Sequence, residues 1–334
     1  MNKVATVIAV ILVCLIVGLG ISQFTNFSIP YWGNLESLSL GVTPYDYAAI
    51  AYVADEQGMF AQNGLQVTLQ DYGTTVQAMD GLATRQVDLA FTTEYVVVSG
   101  TFKKENINIV ASVDKYQAVY LAARKDKGIQ NFTDLKGKKI GLSVKTIGEF
   151  YLGRFLTLHG INMREVTLVD AQPTEYVSAL TSGKVDAMVA VNTFVDQMRD
   201  QLGNDLIAWP VQSNQNGFYV LTSGKNWLAQ HTQTAQKLVR ALEQSESYIA
   251  QHPAEAKAIV QKRLGLDAAY MDTVWSQNQF SLSLDQSLIL AMEDEARWMI
   301  ANNLTTETQV PNFTDYIYDD ALKQVKPNAV NIIR

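Results

Sequence analysis

Residue types that carry covalent or metal chemistry are scarce in this chain. Its histidines are His159, His231 and His252, and its one cysteine is Cys14. Each histidine falls inside or at the end of a helix-like stretch, away from the polar loops. Cys14 alone leaves no disulfide and no cysteine-based metal site for the rest of the chain. No H-E-x-x-H, G-x-S-x-G, Walker loop or G-x-G-x-x-G occurs. The acids Glu293, Asp294 and Glu295 share a helical stretch with Trp298 and Met299 and read as its wet face. Neither catalysis, nor a cofactor, nor a metal is expected.

What the sequence supplies instead is hydrogen-bonding capacity in six short loops. They are Thr43-Pro44-Tyr45-Asp46, Asp71-Tyr72-Gly73-Thr74-Thr75, Thr92-Thr93-Glu94-Tyr95, Ser143-Val144-Lys145-Thr146, Asp170-Ala171-Gln172-Pro173 and Asn192-Thr193. Hydroxyls and amides at the starts of helices suit recognition of a small molecule. The candidate ligand contacts are Thr43, Tyr45, Tyr72, Thr74, Thr75, Thr92, Glu94, Tyr116, Ser143, Thr146 and Asn192. Several have a plainer reading. Thr146 and Glu149 fit a T-x-x-E capping box, and Glu94 suits the first turn of a helix. The tyrosines could equally be core aromatics.

The elements that must position these loops are legible from periodicity. Leu38 to Val42, Val67 to Gln70 and Val87 to Phe91 read as strands, alternating with helices Tyr47 to Gln57 and Thr75 to Thr84. A second set repeats the order: strands Lys139 to Leu142, Val166 to Val169 and Val185 to Val191, with helices Ile147 to Leu158 and Thr174 to Thr181. Gly41-Val42 is echoed by Gly141-Leu142, Asn63-Gly64 by His159-Gly160, and Val87-Asp88 by Val185-Asp186. Three echoes in register predict two lobes of one plan. The fold class is α/β, with mainly parallel sheets flanked by helices. Ala118 to Ala123 leads into the second lobe and Phe218 to Thr222 leads out, which makes a two-stranded hinge. Beyond Ser223 the pattern predicts helices without strands: Asn226 to Ala250, Pro253 to Leu264, Ala268 to Gln279 and Ser287 to Asn302. The expected boundaries are 37–122 with 223–334 for lobe one, and 123–222 for lobe two.

The chain has 334 residues and a formal charge of −7, so nucleic acid is not an expected partner. Lys3 precedes an uncharged apolar run from Val4 to Ile21. That run predicts a signal peptide or an N-terminal membrane anchor over 1–21 and a tether over 22–36. It also predicts an extracytoplasmic location for the lobes.

Several stretches resemble the nitrate/sulfonate/taurine/thiamine-pyrimidine family of periplasmic binding proteins. They are Ile50 to Phe60 with Asn63-Gly64-Leu65; Met79 to Leu82 with Val87 to Ala90; Phe132-Thr133-Asp134-Leu135-Lys136-Gly137-Lys138-Lys139-Ile140-Gly141; Leu180 to Met188; and Tyr219 to Thr222. The resemblance runs from about Leu38 to Ile300. It implies a type II periplasmic-binding-protein fold, hinge closure on a ligand, and delivery to the permease and ATPase of an ABC importer; a monomer is expected. Where many sulfonate binders carry an aromatic–acid pair, this chain has Ala190-Val191-Asn192-Thr193. Glu94 beside an anion would be repulsive, so an amine or N–H-bearing heterocycle is expected ahead of a sulfonate- or nitrate-type anion. The alternatives are a sensory module for a membrane receptor and an enzyme like the fungal thiamine-pyrimidine synthase, whose cysteine-rich motif is absent here.

Overall fold

A computed structural model describes residues 33–333, and from Leu35 onward they form one compact unit. The apolar run Val4 to Ile21 and the start of the tether lie outside the described residues. Among the described residues, no helix is long and apolar enough to cross a membrane.

Two sheets organise the unit. The first has six strands: β1 Glu36–Val42, β2 Leu65–Asp71, β3 Leu89–Thr93, β4 Ile107–Tyr116, β10 Gly217–Gly224 and β11 Asn278–Ser283, in the order β11-β4-β10-β3-β1-β2. The second has five: β5 Val119–Arg124, β6 Lys139–Leu142, β7 Thr167–Asp170, β8 Ala187–Val191 and β9 Leu206–Pro210, in the order β7-β6-β8-β5-β9. The runs β2-β1-β3-β10-β4 and β7-β6-β8-β5-β9 are one plan used twice. In each sheet the fourth strand is borrowed: β10 returns from lobe two to pair with β3 and β4, and β5 arrives from lobe one to pair with β8 and β9.

The sequence echo has a physical cause at Asp88 and Asp186. The Asp88 amide donates to the Ser39 carbonyl at 3.1 Å, and its carboxylate accepts the Ser39 amide at 2.8 Å. Asp186 does the same with Lys139, at 2.8 and 2.9 Å. Each aspartate thus clips the approach to the third strand onto the first, satisfying backbone groups that a loop would leave unpaired.

Several expectations are corrected. The sheets are mixed and not mainly parallel: β1-β2, β1-β3, β6-β7 and β6-β8 are parallel, while every pairing made by β4, β5, β9, β10 and β11 is antiparallel. The strands that enter each sheet from the other lobe, β10 and β5, run opposite to the strand–helix repeats, as does β11, and that mixes the sheets. The predicted helix to Gln279 stops at Trp275, and β11 follows, because Phe280, Leu282 and Leu284 alternate inward with period two. The long helix after Ser223 is broken at His231 into Lys225–Gln230 and Thr232–Gln251. The strand predicted at the end of lobe two, β10, sits in the first sheet, whereas β5 sits in the second from Val119.

Two crossings join the lobes: Tyr116 to Val119, and Val211 to Gly217. Buried Gln212 pins them together. Its Oε1 accepts the Val119 amide at 2.9 Å, and its Nε2 donates to the Tyr116 carbonyl at 2.9 Å and the Gln215 carbonyl at 3.0 Å. Gly217 is required at the same place, because a Cβ there would lie 2.5 Å from the Tyr116 ring.

Candidate functional site

A cavity of about 90 Å³ lies where the carboxyl ends of the strands of both lobes face each other. Lobe one contributes Tyr45, Tyr47, Gly73, Thr74, Thr75, Thr93 and Tyr116, and lobe two contributes Ser143, Thr146, Ile147, Gly148, Pro173, Tyr176 and Phe194 among others. No lining residue is ionised at neutral pH.

Four of the lining residues are helix N-caps. Thr74 precedes Thr75–Ala83, Thr93 precedes Glu94–Phe102, Thr146 precedes Ile147–Leu158, and Val191 precedes Asn192–Leu202. Each helix start carries amides without intrahelical partners and a partial positive charge. Thr74 spends its side chain on a capping box with Gln77. Thr93 makes no cap bond, and its buried Oγ1 has no partner. Thr146 departs from the expected capping box: its Oγ1 donates to the Ser143 carbonyl at 2.7 Å, and Glu149 accepts the Lys145 amide at 2.8 Å. Lys145 holds a left-handed φ of 63°, which turns the chain so that its amide reaches Glu149.

Aromatic rings form the cavity's apolar wall. Tyr45 and Tyr47 lie 5.1 Å apart, Tyr47 stacks on Tyr116 at 5.4 Å, and Tyr176 meets Phe194 edge-on at 5.2 Å. Tyr45 reaches across to Phe194 at 6.2 Å, so the lobes touch. Further contacts across the cleft join Thr193 to the Tyr270 hydroxyl and Gln277 Nε2 to the Tyr120 hydroxyl at 3.0 Å. Burial drives the tyrosine hydroxyls of Tyr45, Tyr47, Tyr116 and Tyr176 above the ordinary phenol range, so all remain proton donors.

Of the candidates from sequence, Tyr45, Thr74, Thr75, Tyr116, Ser143 and Thr146 line the cavity. The remaining five lie outside its lining. Thr43 is fully buried, and the Tyr219 hydroxyl accepts its amide at 3.1 Å and pairs with its Oγ1 at 2.8 Å. Thr92 is fully buried and donates to the Thr75 carbonyl at 3.0 Å. Tyr72 covers Gly41 and Gly81 from the side. Asn192 is buried as the first residue of its helix. Glu94 is wholly buried and accepts the Phe218 amide at 2.9 Å. It lies behind the cavity lining and burial pushes its carboxyl up to about 8, so the ground for expecting an amine ligand is removed. Tyr47, Thr93, Tyr176 and Phe194 went unnamed among the candidates; Tyr47, Tyr176 and Phe194 stand within three residues of a named loop, a signal that the first helical turn also faces inward.

Comparisons with known proteins agree with this architecture. The family model described as NMT1/THI5 like matches residues 46–256. A binding protein of Brucella abortus is 22% identical over 261 residues, covering 75% of this chain and 78% of its own length. A Haemophilus influenzae protein named for thiamine biosynthesis is 27% identical over 215 residues, 63% of this chain and 67% of its own. The alkanesulfonate-binding protein of Xanthomonas axonopodis pv. citri, solved with MOPS bound, superposes with a TM-score of 0.74 at 17% identity, covering 86% of this chain and 99% of the other. The fold is therefore the two-sheet type II periplasmic-binding-protein fold.

Proposed function

Since the chain belongs to the NMT1/THI5-like family, we propose that it is the solute-binding component of an ABC importer. It captures a small organic molecule between one lobe built on the sheet of β1 to β4, β10 and β11 and another built on the sheet of β5 to β9, and hands it to a membrane permease and ATPase on the extracytoplasmic side. The observation that carries this reading is the uncharged, tyrosine-walled cavity faced by four helix N-caps. Such a wall offers donors and partial positive charge and no carboxylate, which favours an acceptor-rich head such as a sulfonate or carboxylate over an amine. Tyr45, Thr74, Thr75, Tyr116, Ser143 and Thr146 are the proposed contacts, joined by Thr93 and Tyr176. Catalysis is a poorer reading, because the lining holds no histidine, cysteine, carboxylate, lysine or arginine to act as nucleophile or base.

A ligand touching both walls favours the closed state by the contacts that only closure allows. Native mass spectrometry of the purified protein should find a carried-over small molecule. Calorimetry against alkanesulfonates, small carboxylates and aminopyrimidines should then rank acceptor-rich anions first, with solution scattering recording contraction on binding. A particle that scatters identically with every compound, and binds none, would end this reading; selective binding of the aminopyrimidine would restore the amine expectation.

A further inference from the structure

Behind the cavity wall, where lobe one, the hinge and lobe two meet, lie two buried carboxyl groups that ligand capture leaves idle. Glu94 and Glu295 are both fully buried, on helices Glu94–Phe102 and Gln286–Ala301 that pack directly against each other, and each carboxyl raises or lowers the proton affinity of the other. Glu94 Oε1 accepts the Phe218 amide, while Glu94 Oε2 and both oxygens of Glu295 have no donor. The titratable groups around them are Tyr95 on the Glu94 helix, Asp114 and Tyr116 on β4, Glu149, Tyr151 and Arg154 on the Ile147–Leu158 helix, and Asp294 beside Glu295. Arg154, the cation in that set, is committed to Asp294 and Gln215. Two buried carboxylates with no bonded cation cannot both be ionised. A proton between them supplies the missing donor, as an acid–carboxylate hydrogen bond.

The pair is linked to each moving part through its neighbours. Glu94 follows cavity-lining Thr93, and Phe218 follows Gly217, on which the Tyr116 ring of the cavity wall rests. Glu295 shares the Gln286–Ala301 helix with Trp298, which lies against Gly153 and Phe150 of lobe two. We propose that Glu94 and Glu295 form a proton-sharing positioning pair that holds the hinge and the cavity wall in their closed register, so that lobe closure depends on pH. The link to capture rests on the solute-binding reading; the pair itself does not.

Infrared spectra of the purified protein test the pair directly. Buried Asp114 adds a protonated-carboxyl band of its own, so the pair is read from the difference between wild type and variant. A protonated-carboxyl difference band is expected at neutral pH against both Glu94→Gln and Glu295→Gln, where an amide supplies the donor without a proton, and it should be lost at alkaline pH. The radius of gyration of the ligand-free wild type should rise over the same pH interval, while that of Glu295→Gln stays constant. No such difference band, or an unchanged pH response of scattering in both variants, would overturn the proposal. Should one variant fail to fold, the difference band and the scattering of the other decide it. A failed ligand panel with an intact band would remove the transport reading alone.

Discussion

Lobe one and lobe two share a topology yet differ in what stands behind their cavity walls. A hydroxyl residue directly follows β1 and β6, Thr43 or Ser143, and in each lobe a tyrosine hydroxyl accepts that residue's amide at 3.1 Å: Tyr219 in lobe one, Tyr176 in lobe two. Thr43 and Tyr219 are sealed in the core, whereas Ser143 and Tyr176 line the cavity. Behind its wall, lobe one also buries Asp46, Glu94, Asp114 and Glu295. Lobe two buries Glu149, whose carboxylate is taken by the Lys145 amide. One plan thus yields a titrating lobe that bears the hinge and a lobe whose polar groups are left available to a ligand.

The largest expected break in that contrast is at Asp46. Burial raises its carboxyl to about 6, opposed by the 2.6 Å bond from Asn278 Nδ2. In the unfolded chain it ionises near 3.8, so between these values the folded state holds the extra proton. Its contribution to stability is therefore full at low pH and is lost as pH rises towards 6, by up to about 3 kcal/mol. Asp46→Asn should remove that part of the slope, read from urea titrations across the interval. An unaltered slope would place the titration elsewhere.

Next in size is the tyrosine pair. Tyr219→Phe strands the Thr43 amide in the core and should cost about 1–3 kcal/mol in chemical denaturation, with little effect on a ligand. Tyr176→Phe leaves the Ser143 amide facing the cavity, where water or ligand replaces the lost partner. Its stability cost should be under about 1 kcal/mol, with the loss appearing as weaker ligand binding. Equal costs at both sites would dissolve the distinction between a sealed and an available lobe.

How much of this was legible depends on the range of the forces involved. Strand and helix alternation is local, so Lys139–Leu142, Ile147–Leu158 and Pro253–Leu264 match their predicted bounds. The loops at strand ends were legible too, because topology places them, and Tyr45, Thr74 and Ser143 do reach the cavity. Partners distant in sequence were not. Nothing near Thr43 announces Tyr219, and nothing near Glu94 announces Glu295, so a hydroxyl and a carboxylate at cleft-like positions read as ligand contacts when both face inward. The wet face expected for Glu293 to Glu295 fails for the same reason at Glu295 alone: it turns into the seam between its own helix and Glu94–Phe102.

The smallest contrast concerns the two clips that cause the sequence echo. Asp88 holds the Ser39 amide at 2.8 Å and also the Ser39 hydroxyl at 2.6 Å, whereas Asp186 holds the Lys139 amide at 2.9 Å, with a lysine side chain where the serine would be. Both aspartates are half-buried, so water recovers part of what either substitution removes. Asp88→Asn strips the charge from two bonds and should cost about 1–2 kcal/mol; Asp186→Asn strips it from one and should cost about 1 kcal/mol or less. Denaturant midpoints of the two variants, measured side by side, check the order. If Asp186→Asn proved the costlier, the repeat would be held more tightly by the lobe that has the simpler clip, and hydrogen-bond number would not be what stabilises it.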